Sequence, residues 1–133
     1  TGIKKGVFSS AKFDSKDGEL TLARVLENDS DVQNWLRPHP QEFNITYNHG
    51  RSYEPDFVVE TEDIIYLVEV KGEDKLHDLD VIAKKERGIQ YCAVASRWGK
   101  ANGYKEWHYL FIPAGQILPN SSFAQLAERF KEL

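Results

Sequence analysis

The stretch Tyr53-Glu54-Pro55-Asp56-Phe57-Val58-Val59-Glu60-Thr61-Glu62-Asp63-Ile64-Ile65-Tyr66-Leu67-Val68-Glu69-Val70-Lys71-Gly72 decides the fold. Phe57–Val59 and Ile64–Val70 are rich in β-branched and aromatic residues, so they read as two strands of a meander. A hairpin centred between Glu62 and Asp63 sets Asp56 directly across from Glu69, and every even-length turn about that centre keeps the pairing. Facing Cβ atoms in such a pair stand ~4.5–5.5 Å apart. Side chains two apart share a strand face, so Glu69 and Lys71 point the same way, with Leu67 and Ile65 further along. Two carboxylates this close repel by about 4 kcal/mol at an effective dielectric of about 20. Either something positive sits between them or one is protonated. A hard divalent cation meets that demand, because Mg²⁺ typically takes one or two protein carboxylates, keeps several waters and accepts phosphate oxygens. By spacing alone, a solvent-facing carboxylate pair neutralised by Lys71 satisfies the same sequence. The context favours the site: Val68 and Val70 flank Glu69 in a strand apolar enough to be central, and Gly72 lets the chain leave it where a ligand must approach.

Outward from this hairpin, the chain has 133 residues, 41% apolar and 29% charged, which suits one globular domain with one sizeable core. Its longest apolar run, Ile64 to Val68, is far short of the ~20 residues of a membrane-spanning helix. The single cysteine, Cys92, excludes an internal disulfide framework and fits a reducing cytosol. There is no Met at all, which suggests a domain excised from a longer polypeptide. With 17 Lys and Arg against 21 Asp and Glu, the net charge of −4 excludes a broadly basic nucleic-acid binder but leaves room for a local basic patch.

The remaining elements follow from periodicity and punctuation. The lead-in 1–12 is Gly/Ser/Lys-rich with room for one short strand, and Asp17 can cap a helix from about Gly18 to Asn28. Val32, Trp35 and Leu36 extend its apolar surface until Pro38 and Pro40 stop anything helical. Phe43–Tyr47 alternates as a strand, and Asn48–Ser52 is a turn. Helical spacing predicts a helix over Lys75–Gln90, then a fourth core strand at Tyr91–Ala95, a polar loop from Arg97 to Lys105 and a fifth strand at Trp107–Ile112. Phe123–Phe130 closes the chain as an amphipathic helix. The expected class is α/β or α+β, a mixed sheet with helices against it.

Glu19 shares its helical face with Leu22, Ala23 and Leu26, so it either points inward to the sheet or serves the helix dipole from the first turn. His39, His49, His77 and His108 show no metal spacing, which argues against zinc. Arg51, in the turn ahead of Asp56, either reaches a DNA backbone or is simply solvated, and the same two readings hold for Arg97, Lys100 and Lys105. Cys92 and Ser9-Ser10 lack a visible base partner, and no GxxxxGK[ST] loop is present, so any ATP-driven step lies elsewhere.

The run Pro55-Asp56-Phe57, eleven residues, then Glu69-Val70-Lys71-Gly72 resembles the PD-(D/E)xK nuclease signature. Phe13-Asp14-Ser15 ahead of Glu19, Tyr53 ahead of Pro55-Asp56, the lysine-bearing helix before Tyr91-Cys92 and the Trp107-x-Tyr109 to Ile112-Pro113 strand resemble the C-terminal endonuclease domain of type III restriction enzyme Res subunits. The resemblance implies a restriction-endonuclease-like fold with an αβββαβ core, and Mg²⁺-dependent hydrolysis of DNA phosphodiesters, with Mn²⁺ able to substitute. It implies metal ligation by Asp56, Glu69, the Val70 carbonyl and Glu19. Lys71 would then orient the attacking water and stabilise developing charge, and Lys84, or alternatively Lys85, would contact phosphate. The implied partners are double-stranded DNA, an ATPase/helicase region of the same parent chain and a methyltransferase/specificity subunit, in the bacterial cytoplasm and away from membranes.

Overall fold

The computed structural model describes residues 6–7, 17–39 and 43–132. Ser9-Ser10, the segment with Phe13-Asp14-Ser15, the side chain of Asp17 and Pro40 lie outside the described residues. The order is β1 (Gly6–Val7), α1 (Asp17–Asn28), β2 (Asn34–Leu36), β3 (Ile45–Tyr47), β4 (Arg51–Tyr53), β5 (Phe57–Glu60), β6 (Ile64–Lys71), α2 (Leu79–Asn102), β7 (Glu106–Pro113), α3 (Phe123–Phe130) and β8 (Lys131–Glu132). The main sheet runs β1-β2-β5-β6-β7-β8, and β3-β4 form a separate hairpin.

The central hairpin has the expected register. Phe57 faces Val68 and Glu60 faces Ile65, so one more step brings Asp56 level with Glu69. The turn closes where the Thr61 N–H donates to the Ile64 carbonyl at 2.9 Å. β6 then pairs in parallel with β7 along its full length, from Ile64 opposite Glu106 to Lys71 opposite Pro113. A parallel pair needs a crossover connection, and α2 supplies it.

Alternation along β6 divides the core in two. Tyr66, Val68 and Val70 join Leu22, Leu26, Phe123 and Leu126 under α1 and α3. Leu67 joins Tyr109, Phe111, Val81 and Cys92 under α2 and the β3–β4 hairpin. The sheet is thus mixed and covered by helices on both faces, which is the expected class. Among the described residues no helix is long and apolar enough to cross a membrane.

Three expectations are corrected. Tyr91–Ala95 is not a strand but the middle of α2, and Arg97–Asn102 is its last turns rather than a loop. Only Ile45–Tyr47 of the Phe43–Tyr47 strand forms, and it pairs with β4 outside the main sheet. The neighbour of β5 on its other side is β2, where Trp35 faces Val59 and is fully buried. A Trp side chain offers the largest apolar area to cover, so the segment that carries it wins the core position.

Candidate active site

Glu69 sits on β6 between Val68 and Val70 and is only 4% exposed, so the central strand carries an acid into the protein interior. Tyr53 donates its hydroxyl proton to Glu69 Oε1 at 2.9 Å, and Lys71 Nζ stands 3.4 Å from Oε2. The shared face of Glu69 and Lys71 therefore holds. Asp56, just ahead of β5, accepts the Val70 N–H on Oδ2 at 2.8 Å. This bond extends the hairpin ladder by a side chain where β5 has left regular pairing.

Helix α1 brings the third acid. Leu22, Ala23 and Leu26 are buried, and Glu19 on the same face is 5% exposed, so it points inward. Its partner is Arg37, just after β2, whose Nη2 lies 2.8 Å from Glu19 Oε1. The same guanidinium donates from Nη1 to the Asp56 carbonyl at 3.0 Å and stands 3.7 Å from Asp56 Oδ1. Part of the positive charge demanded by the carboxylates thus comes from Arg37, a residue the sequence reading missed. Its only signal was that the cluster required a cation.

Glu19, Asp56, Val70 and Lys71, with Gly72 and Lys84, line a cleft of about 590 Å³ at the end of β6. Of the two candidate helix lysines, Lys84 lines it, pairs with Asp80 at 3.4 Å and lies over the Tyr47 ring. Lys85 instead pairs with Glu132 and covers the Phe111 ring, away from the carboxylates. Arg51 joins the Lys84 cluster through Asp80 at 3.2 Å. Lys105 is held by Glu60 at 2.7 Å, so it is committed to the fold.

Burial dominates the electrostatics. It lifts the Asp56 carboxyl above its ordinary range, against the Val70 N–H, Arg37 and Lys71, which pull it down. Burial first and the charge of Asp56 second push Glu69 up to about 8, against the opposing pull of Lys71 and the Tyr53 hydroxyl. Burial pulls the Lys71 ammonium down, but Glu69 and Asp56 more than offset it, so its pKa rises. Burial raises the Cys92 thiol to about 12, which removes it as a nucleophile.

Among the described residues no three His, Cys, Asp or Glu side chains group as a metal cage. The donors that do converge, Asp56 and Glu69, are oxygen ligands, and their raised pKa values mark negative charge that the protein leaves incompletely compensated. Two carboxylates with room for water suit Mg²⁺ or Mn²⁺ better than zinc. Asp56 and Glu69 would hold such an ion. Val70 and Glu19 line the same cleft, Glu19 already in contact with Arg37. No family model matches the chain, and no curated protein matches it.

Proposed function

We propose that this chain is a Mg²⁺-dependent nuclease domain that hydrolyses DNA phosphodiesters. The observation that carries the reading is the buried Glu69 with Lys71 beside it, next to a partly buried Asp56 that lines the cleft with Lys71. A protein does not bury an acid on a central strand, with a second acid close by, without a compensating group. A bound divalent ion supplies that compensation and activates water for attack on phosphorus. Asp56 and Glu69 hold the cation. Lys71 keeps its ammonium charged beside Glu69, where it orients water and balances charge developing on a phosphate. Lys84 and Arg51 serve as phosphate contacts beside the cleft.

With the separate β3–β4 hairpin set aside, the order α1-β2-β5-β6-α2-β7 reads α-β-β-β-α-β, which supports a restriction-endonuclease-like core. Together with the sequence resemblance, it supports reading the domain as part of a type III restriction enzyme, beside an ATPase/helicase region and a methyltransferase/specificity subunit. Phosphate neutralisation dominates non-specific DNA binding, so a domain with net charge −4 depends on that assembly for DNA affinity.

Calorimetry with Mn²⁺ tests the site. Asp56→Asn keeps an oxygen to accept the Val70 N–H but removes the charge, so it is expected to weaken Mn²⁺ binding by roughly tenfold or more. It should leave the melting temperature of the metal-free protein unchanged or raised, because one of two repelling charges is gone. Unchanged Mn²⁺ affinity would place the metal elsewhere. A fall in melting temperature of several degrees would make Asp56 a structural hydrogen-bonding residue instead.

A further inference from the structure

We infer that Tyr109 and Tyr53 form a buried positioning relay, seated on Gly88, that fixes which oxygen of Glu69 faces Lys71. The inference rests on the metal-dependent reading above and assigns two tyrosines and a glycine that contribute no group to the chemistry itself.

Three elements meet here. Tyr53 comes from β4, Tyr109 from β7 and Glu69 from β6, and they are 2%, 0% and 4% exposed. The two tyrosine hydroxyls stand 2.7 Å apart, and the Tyr53 hydroxyl lies 2.9 Å from Glu69 Oε1. The protons can be counted. A phenol has one proton, and an ionised carboxylate has none to give. With Glu69 ionised, as it is when it holds a cation, Tyr53 therefore donates to Glu69, and Tyr109 donates to Tyr53. Among the described residues neither hydroxyl has another partner.

The consequence falls on the carboxylate. Oε1 is held inward by the relay, which leaves Oε2 as the oxygen on the Lys71 side. Phe at either tyrosine position would fill the core equally well, so the hydroxyls answer to Glu69 rather than to packing. A buried phenol without a partner is destabilising, which ties both hydroxyls to the chain they form.

Gly88 sets the far end. A Cβ at this position of α2 would overlap the Tyr109 ring at three of its carbons, so only glycine leaves the ring its seat. Gly88 does not line the cleft, yet its lack of a side chain determines where the Tyr109 hydroxyl lies.

The experiment is Mn²⁺ calorimetry and metal-free thermal melting on the whole chain. The variants are Tyr53→Phe, Tyr109→Phe, the double Phe variant and Gly88→Ala. Loss of an outer-shell partner typically costs 10–100-fold in metal affinity, so Tyr53→Phe is expected to lose about tenfold. Tyr109→Phe should lose less, in the same direction. The double variant should bind no more weakly than Tyr53→Phe alone, because Tyr109 acts only through Tyr53. Gly88→Ala should resemble Tyr109→Phe in Mn²⁺ affinity; if it does not fold, Tyr109→Phe still decides. Equal Mn²⁺ affinity in wild type and Tyr53→Phe would overturn the relay and leave the metal site standing. Additive losses in the double variant would overturn it as well, since they mark two independent contacts. Absence of Mn²⁺ binding by the wild type would remove the metal site and the relay together.

Discussion

Lys71→Ala is expected to cut Mg²⁺-dependent DNA cleavage by ~10²–10³-fold, on the scale of losing one preorganised charge donor, while Mn²⁺ affinity stays nearly unchanged. The asymmetry comes from position. Lys71 is not a ligand: its Nζ stands 3.4 Å from Glu69 Oε2 on the shared strand face, so it adds charge beside the site without occupying it. Removing a cation there does not weaken metal binding electrostatically, but it leaves charge developing on a phosphate without its balance. Lys71→Arg should rescue poorly, because a planar guanidinium differs in shape and hydration from a compact ammonium. The assay belongs in the ATP-dependent assembly, where ATP hydrolysis should continue while double-strand cuts vanish. Full cleavage by the alanine variant would sink the nuclease assignment of these residues.

The second large effect is on stability. An acid whose folded pKa is raised binds a proton more tightly when native, so stability falls as pH climbs from the unfolded value to the folded one. For Glu69 that window runs from an ordinary 4.5 to about 8. Asp56, also raised, contributes in the same direction over the lower part of it. Across such a window a single group loses ~1.4 kcal/mol of stability for each step of one in pH, so the metal-free protein should lose a few kcal/mol between about pH 5 and pH 8. Glu60 runs the other way: Lys105 and then Asn34 hold its carboxyl low, so its small contribution is lost only below that window. Urea midpoints across this pH range measure the effect. Glu69→Gln should flatten the slope, and Mg²⁺ at pH 8 should restore most of the lost stability by binding the folded state alone. A flat wild-type profile would mean that Glu69 is ionised and fully compensated within the protein.

The part of the site carried by local geometry was legible in the sequence. The alternation of β5 and β6 set Asp56 against Glu69, and the two-residue strand period set Lys71 beside Glu69; the helical spacing of Leu22, Ala23 and Leu26 left Glu19 two choices, of which the structure has the inward one. Arg37 escaped notice, and Tyr53 entered only as part of the resemblance with no role, because each reaches its partner from a separate element, across contacts no local pattern encodes. The β3–β4 hairpin had a signal that was under-read. Asn48, His49 and Gly50 all adopt positive φ, the conformation of a tight hairpin turn, and Ile45, Tyr47 and Tyr53 are buried on either side of it. The strand expected at Tyr91–Ala95 shows the opposite weakness. A short apolar run cannot be told from a buried helical segment by periodicity alone. The helical pattern of α2 is carried by Val81, Gly88, Cys92 and Gly99, and two of these are glycines, which count as neither apolar nor polar in such a reading.

Gly88 and Gly99 are eleven residues apart, about three helical turns, so they lie on one line along α2. Gly88 meets the Tyr109 ring, and a Cβ at Gly99 would lie 2.7 Å from the Lys105 carbonyl oxygen. The crossover helix is thus registered at two points, on β7 and on the chain leading into it, by side chains it lacks. Such a dock resists sliding and rotation without asking much of the rest of the helix, whose Val94 and Trp98 stay exposed. Related sequences should drift freely over the outer surface of α2 while these two positions stay small, a pattern that marks the helix more reliably than its hydrophobicity does.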